Sequence, residues 1–216
     1  MEKAHYIEAI KKAREAKKRR FSQSFDLAVS LRHIDLKKPQ NKIDTELTLP
    51  HGRGKGVTVA MIADGELAKK ASEFVQQIIS PDELAKLGKD RKNAKKIAGQ
   101  YDFFVVQVNL MQNFAKSLGP VLGPRGKMPK PSQIIPPQGD PEAVVKGLKS
   151  KIRLSMKSQP VLHAIVGHES QKDEDIADNV LAVVNFLEHK LENPIHQIHS
   201  IHVKMTMGPA IRIGDK

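Results

Sequence analysis

Two segments of the chain pair glycine with lysine, the residue types from which phosphate-cradling loops are built: HGRGKG at 51–56 and GPVLGPRGKMP at 119–129. A nucleotide loop needs a further glycine five residues before the Gly of that pair and a Ser or Thr after the lysine to hold magnesium. Neither segment has the earlier glycine, and Gly56 and Met128 stand where the hydroxyl is required. A nucleotide-dependent enzyme is therefore disfavoured. His196, His199 and His202 recur every third residue, but they run from a Pro-led loop into a strand and lack a suitably spaced carboxylate, so a metal site is not expected. They read instead as polar positions on the exposed side of an edge. Asp173, Glu174 and Asp175 cluster where a helix begins, and the helix dipole accounts for them. No Gly-x-Ser-x-Gly elbow and no His-Glu-x-x-His pair occurs. The expectation is a protein that is not an enzyme and carries no cofactor and no metal.

The remaining chemistry is cationic. The net charge is +12, which points to a polyanionic partner. Aromatic residues make up only 4%, too few for single-strand binding by base stacking, so contacts should go to phosphate, sugar and the shape of a folded nucleic acid. Around residues 2–20, Lys11, Lys12, Arg14, Lys17, Lys18, Arg19 and Arg20 crowd a helical pattern. That run reads either as a solvated helix face or as an RNA-facing surface continuing into Phe21. Gly119-Pro120, Gly123-Pro124 and Gly126 predict a tight irregular loop over 118–131 that cannot become a long helix. Its tip, Arg125, Lys127 and Lys130, is either solvated or presented to an RNA backbone or partner. Thr206-Met207-Gly208-Pro209 interrupts a strand pattern, as a hairpin turn or as a surface suited to sugar–phosphate packing.

The elements that must position these groups follow from periodicity. SFDLAVSL alternates Phe25, Leu27, Val29 and Leu31, the signature of a half-buried strand, and TELTLP is a second strand. VTVAMIAD and YDFFVVQV are apolar runs expected of strands covered on both faces. From Gly65 to Gly99 the pattern is helical, in ELAKKASEFVQQII, PDELAKLG and DRKNAKKIAG; Asn109 is positioned to cap a helix through about Leu118, and Asp140-Pro141-Glu142 starts another. IRLSM, VLHAIVG, SIHVKMTM and AIRI read as strands. Between them lies a long helix with the stripe Ile176, Val180, Leu181, Val184, Leu187 and Leu191. This predicts an α/β chain, α+β overall: a discontinuous α+β domain made from both termini, and an inserted Rossmann-like α/β domain with a parallel sheet. No signal peptide and no membrane span are legible, so a soluble, cytoplasmic protein is expected.

In order and at suitable spacing, FSQSFDLAVSL, IDLKKP, LPHGRGK, LGPRGKMPKP, HAIVG and KMTMGPAIRI make the chain resemble the large-subunit ribosomal protein L-one family, in its archaeal-type form. The resemblance implies a terminal domain at about 1–52 plus 151–216 and an inserted domain at about 53–150, with hinge strands near His51–Gly56 and Ser150–Arg153. His51, Gly52, Gly54 and Gly56 are the hinge residues so named. It further implies binding to large-subunit rRNA at the mobile stalk beside the tRNA exit site, help in releasing deacylated tRNA, and translational repression through the protein's own mRNA. The free protein would be a monomer. Matching positions for RNA contact are Phe21, Ser24, Thr206, Met207 and Gly208, with Arg20 a neighbouring phosphate contact. Ser24 departs from the threonine of many relatives, keeping the hydroxyl and losing a methyl. A small DNA-compacting protein is the competing class; the two-domain plan and long apolar stripes argue against it.

Overall fold

In the computed structural model, residues 3–17, 19–36, 38, 41–156 and 159–214 are described. Lys18 of the basic run lies outside them. The chain divides into two compact units, Met1–Lys55 with Ser150–Lys216, and Gly56–Lys149.

The first unit opens with α1 (Lys3–Arg14), then β1 (Ser24–Leu31) and β2 (Asp44–Thr48). The returning chain adds β7 (Lys151–Ser155), β8 (Val161–His168), α7 (Asp173–Lys190), the short α8 (Pro194–Gln197), β9 (Ile198–Met205) and β10 (Ile211–Ile213). Four strands form a sheet in the order β10-β9-β1-β8, in which every neighbouring pair is antiparallel; β2 and β7 pair separately. The alternation predicted for β1 is realised, with Phe25, Leu27, Val29 and Leu31 buried. They pack with Tyr6 and Ile10 of α1, with Ile176, Val180, Val184 and Leu187 of α7, and with Val203 and Ile213. Each such large side chain contributes about 1.5–3 kcal/mol by leaving water. On the other face of the sheet His163 and Ile165 are exposed.

The second unit holds β3 (Val59–Ile62), α2 (Gly65–Ala71), β4 (Gln77–Ile79), α3 (Pro81–Lys89), α4 (Arg91–Gln100), β5 (Phe103–Gln107), α5 (Met111–Arg125), β6 (Ile134–Ile135) and α6 (Pro141–Ser150). Its sheet is parallel throughout, in the order β4-β3-β5-β6. All four residues of β3 are buried because α3 to α5 cover one face and α2 with α6 the other. Asp140 accepts the Glu142 amide at 2.9 Å, capping α6 as its sequence predicts.

Several local expectations are corrected. The first helix stops at Arg14 instead of reaching residue 20; the cationic residues beyond Ala16 supply no apolar stripe to bury, and a helix without tertiary packing is marginal. ELAKKASEFVQQII is not one helix: it ends at Ala71, and Gln77–Ile79 becomes an edge strand, favoured by two adjacent β-branched residues. Asn109 lies in a short 3-10 turn and does not cap α5, whose preceding residue is Leu110. Most consequential, α5 passes through Pro120 and Pro124 and ends at Arg125, with Gly126 in the left-handed region closing it. Both prolines are exposed, where water can satisfy the carbonyls they leave unbonded, while Phe114, Leu118, Val121 and Leu122 bury the opposite face. Burial of that stripe outweighs the local cost of two prolines.

Candidate nucleic-acid interface

Because β1 and β9 are antiparallel neighbours with Phe25 opposite Met205, the start of β1 and the end of β9 meet at one end of the sheet. The Thr206 amide donates to the Ser24 carbonyl at 3.1 Å. The Thr206 Oγ1 accepts the Ser24 amide and donates to the Ser24 carbonyl, each at 3.2 Å. The turn then closes with the Gly208 amide donating to the Met205 carbonyl at 2.9 Å. A side chain at Gly208 would place its Cβ 3.3 Å from that of Met205 and 3.4 Å from that of Ala16, so the turn sits close against the chain after α1. Met207 and Phe21 stand out as large apolar side chains in water, 58% and 53% exposed. Arg19 and Arg20 beside Phe21 are exposed cations. The sequence-predicted set Arg20, Phe21, Ser24, Thr206, Met207 and Gly208 thus falls on two segments joined by hydrogen bonds, although 182 positions separate Ser24 from Thr206.

Three polar residues lie behind this surface: Gln23 and Glu169, which the sequence does not mark, and Arg14, which the basic run suggests is solvated or RNA-facing but which turns inward instead. Gln23 is 2% exposed, and its Oε1 accepts the Met207 amide at 3.0 Å. Its own amide donates to Glu169 Oε2 at 3.0 Å, and its carbonyl accepts the Glu169 amide at 2.9 Å. Arg14 donates to the Glu169 carbonyl at 2.7 Å, to the Gln171 carbonyl at 2.9 Å and to Asp173 Oδ1 at 2.8 Å, with its guanidinium 5.3 Å from the centre of the Phe25 ring. No motif marks these contacts; a buried-side glutamine next to a strand start is their only local trace.

Further along the sheet, Asp26 lies opposite Lys204 and Ile165. Burial raises its carboxyl above the usual range, with Lys204 and His163 pulling the other way. His202 is on β9 where strands flank it on both sides, so its expected edge placement is corrected: a face of an interior strand carries it. His196 is in α8 and His199 is exposed on β9. Among the described residues no group of three or more His, Asp or Glu is arranged to hold a metal ion. Nor is any helix among them long and apolar enough to cross a membrane.

The segment named as hinge begins in the first unit. Asn179 of α7 is fully buried; its Oδ1 accepts the His51 amide at 3.0 Å, and its Nδ2 donates to the carbonyls of Gly52 and Val166 at 2.8 Å. Gln171 donates to the His51 carbonyl at 3.0 Å and Arg53 to the Lys151 carbonyl at 2.9 Å. Gly54 is left-handed, and a Cβ there would collide with the Gln171 side chain; at Gly56 it would meet nothing within 4 Å. In the second unit, Arg125 donates to the Lys95 carbonyl at 3.1 Å. Lys127 donates to the Ala98 and Tyr101 carbonyls at 2.9 and 2.6 Å, closing the end of α4. The Lys130 amide bonds to Gln133 Oε1 at 3.4 Å.

Comparison with known proteins gives one consistent family. The model of the ribosomal protein L1p/L10e family matches residues 11–209. The large ribosomal subunit protein uL1 of Methanothermobacter thermautotrophicus is 46% identical over 209 residues, 96% of this chain and 97% of that protein. The protein of the same name from Pyrococcus horikoshii is 45% identical over 96% of this chain and 94% of its own length. That from Methanocaldococcus jannaschii is 41% identical over 99% and 96%.

Proposed function

The chain belongs to the ribosomal protein L1p/L10e family, and on that premise we propose that it binds large-subunit rRNA at the mobile stalk through the surface around Ser24 and Thr206. It is a structural constituent of the large ribosomal subunit, at work on cytoplasmic ribosomes, and not an enzyme. The observation that carries the RNA reading is the exposure of Phe21 and Met207 on two segments that three hydrogen bonds between Ser24 and Thr206 hold together. Isolated apolar side chains held in water on a rigid frame, beside Arg19 and Arg20, suit ribose and base packing next to phosphate. Arg20 supplies the phosphate contact, Phe21 and Met207 the packing, and Gly208 the close approach.

The finer roles belong to the same proposal. Residues 1–52 with 151–216 form the RNA-binding domain and 53–150 the inserted domain, with movement at the connection through Gly56. Placed beside the exit site, the protein meets exit-site tRNA and assists its release. A similar fold in its own mRNA is the second target, through which it represses translation. The free protein is a monomer. Affinity for a stalk fragment of large-subunit rRNA, set against matched duplex DNA and repeated with Thr206→Ala, tests the core of this reading. RNA preference that drops with the substitution supports it; equal binding of both nucleic acids, unaffected by the substitution, refutes it.

A further inference from the structure

The exposed turn 205–208 does not hold its position by its own bonds alone. Beyond Thr206 and the turn-closing Gly208 amide, the backbone at Met207 is fixed by the Gln23 side chain, whose Oε1 accepts the amide at 3.0 Å. Gln23 is itself clamped: both of its backbone polar groups bond to Glu169, at 3.0 and 2.9 Å. Glu169 in turn sits on a loop whose carbonyls at 169 and 171 are gripped by the Arg14 guanidinium, which is tied to Asp173 at the start of α7. The chain of contacts therefore runs from two helices of the core to the amide of the most exposed methionine of the site.

We propose that Gln23 is a positioning residue for RNA binding: it touches no nucleotide, and it sets the Met207 backbone from behind while the turn of Glu169 and Arg14 anchors it. This rests on the reading that Met207 and Thr206 meet RNA. Burial supports it, since a residue only 2% exposed is withheld from a ligand while its Oε1 accepts the amide of the exposed Met207. Preorganisation of this kind raises affinity by removing the ordering cost of binding.

Three properties separate such a residue from a direct contact and from a general core residue. Loss of a phosphate contact lowers the slope of log affinity against log salt by about 1, whereas loss of a positioning residue lowers affinity at unchanged slope. Loss of a core residue shifts the melting temperature and speeds exchange throughout the sheet. Loss of this one should speed exchange of the Met207 amide and leave that of Val203 in β9 unchanged.

The experiment measures binding of a large-subunit rRNA stalk fragment to the full chain at several salt concentrations, for wild type, Gln23→Met, Gln23→Glu and Arg20→Ala, with amide exchange read by NMR. Gln23→Met removes the acceptor at similar volume and should weaken binding by about tenfold, the scale of one lost hydrogen bond. Its salt slope should match wild type, with faster exchange at Met207 alone. Gln23→Glu keeps an oxygen but buries a carboxylate close to Glu169, so it should bind no better than Gln23→Met, while Arg20→Ala should lower the slope. Wild-type affinity in Gln23→Met, a slope that falls as in Arg20→Ala, or exchange at Val203 that speeds as much as at Met207 overturns the proposal. If wild type shows no preference for the stalk fragment, the RNA reading itself fails and the proposal falls with it.

Discussion

The hydroxyl of Thr206 is already engaged twice by Ser24, accepting its amide and donating to its carbonyl at 3.2 Å each. A threonine hydroxyl has one proton and two lone pairs, so one accepting position is left and no proton. It can take a hydrogen bond from a ribose 2′-hydroxyl but cannot give one to a phosphate oxygen. The prediction is that one 2′-deoxy substitution in the stalk fragment weakens wild-type binding by about three- to tenfold, the range of one hydrogen bond. In Thr206→Val the same substitution should cost nothing further. Additive losses would mean that the 2′-hydroxyl and Thr206 do not meet.

Where the information was local, the sequence was legible. The alternation in β1, the apolar run of β3 and the stripe of α7 each report burial by one element's own period. Local reading failed at α5, where glycines and prolines spoke for a loop while Phe114, Leu118, Val121 and Leu122 already carried helical spacing; tertiary burial decided between them. The exposed members of the candidate site were named through family motifs. The roles of Gln23, Glu169, Arg14 and Asn179 are not legible there, because they include bonds between residues 128 to 184 positions apart that exist only once the domain has folded.

The connection between the units should divide into a fixed part and a pliant one. Gly54→Ala forces a side chain into the left-handed region and displaces Gln171, which bonds the His168 amide and the His51 carbonyl; a loss of about 1–2 kcal/mol is expected. Gly56→Ala meets open space and should stay within about 0.5 kcal/mol of wild type. Denaturant unfolding of both variants gives the comparison. Equal destabilisation would contradict the division.

Asn179→Ala should be the costlier change at the same place. It strands the His51 amide and the Gly52 and Val166 carbonyls, with about 1–3 kcal/mol for each group left without a partner. Amide exchange at His51 should accelerate more than at Val180, one residue along in α7. Uniform acceleration through the helix would indicate a general loss of packing instead.

Asp26 provides a pH prediction. Burial raises its carboxyl pKa in the folded state, so the folded chain holds that proton more tightly than the unfolded one, and the group lowers stability as pH rises through the folded value. Asp26→Asn should therefore raise the melting temperature at neutral pH, and the difference should shrink as pH falls toward the ordinary carboxylate range. A gap that stays constant or widens on acidification would show that Lys204 and His163 stabilise the charged form more than burial disfavours it.

The cations at the end of α5 and just beyond it separate into two kinds, and substitution can sort them. Lys127 directs its ammonium to the Ala98 and Tyr101 carbonyls, a charge placed where the α4 dipole is negative. Lys127→Met should lower stability by about 1–2 kcal/mol and leave the salt slope of rRNA binding unchanged. Arg125 is exposed and makes one longer bond to the Lys95 carbonyl, so Arg125→Ala should alter stability by less than about 0.5 kcal/mol. If this face of the inserted unit meets RNA, Arg125→Ala lowers the salt slope by about 1, and if it does not, the slope is that of wild type. A Lys127→Met variant as stable as wild type but with a reduced slope would reverse the assignment, making Lys127 the residue that meets phosphate and its two carbonyl bonds incidental.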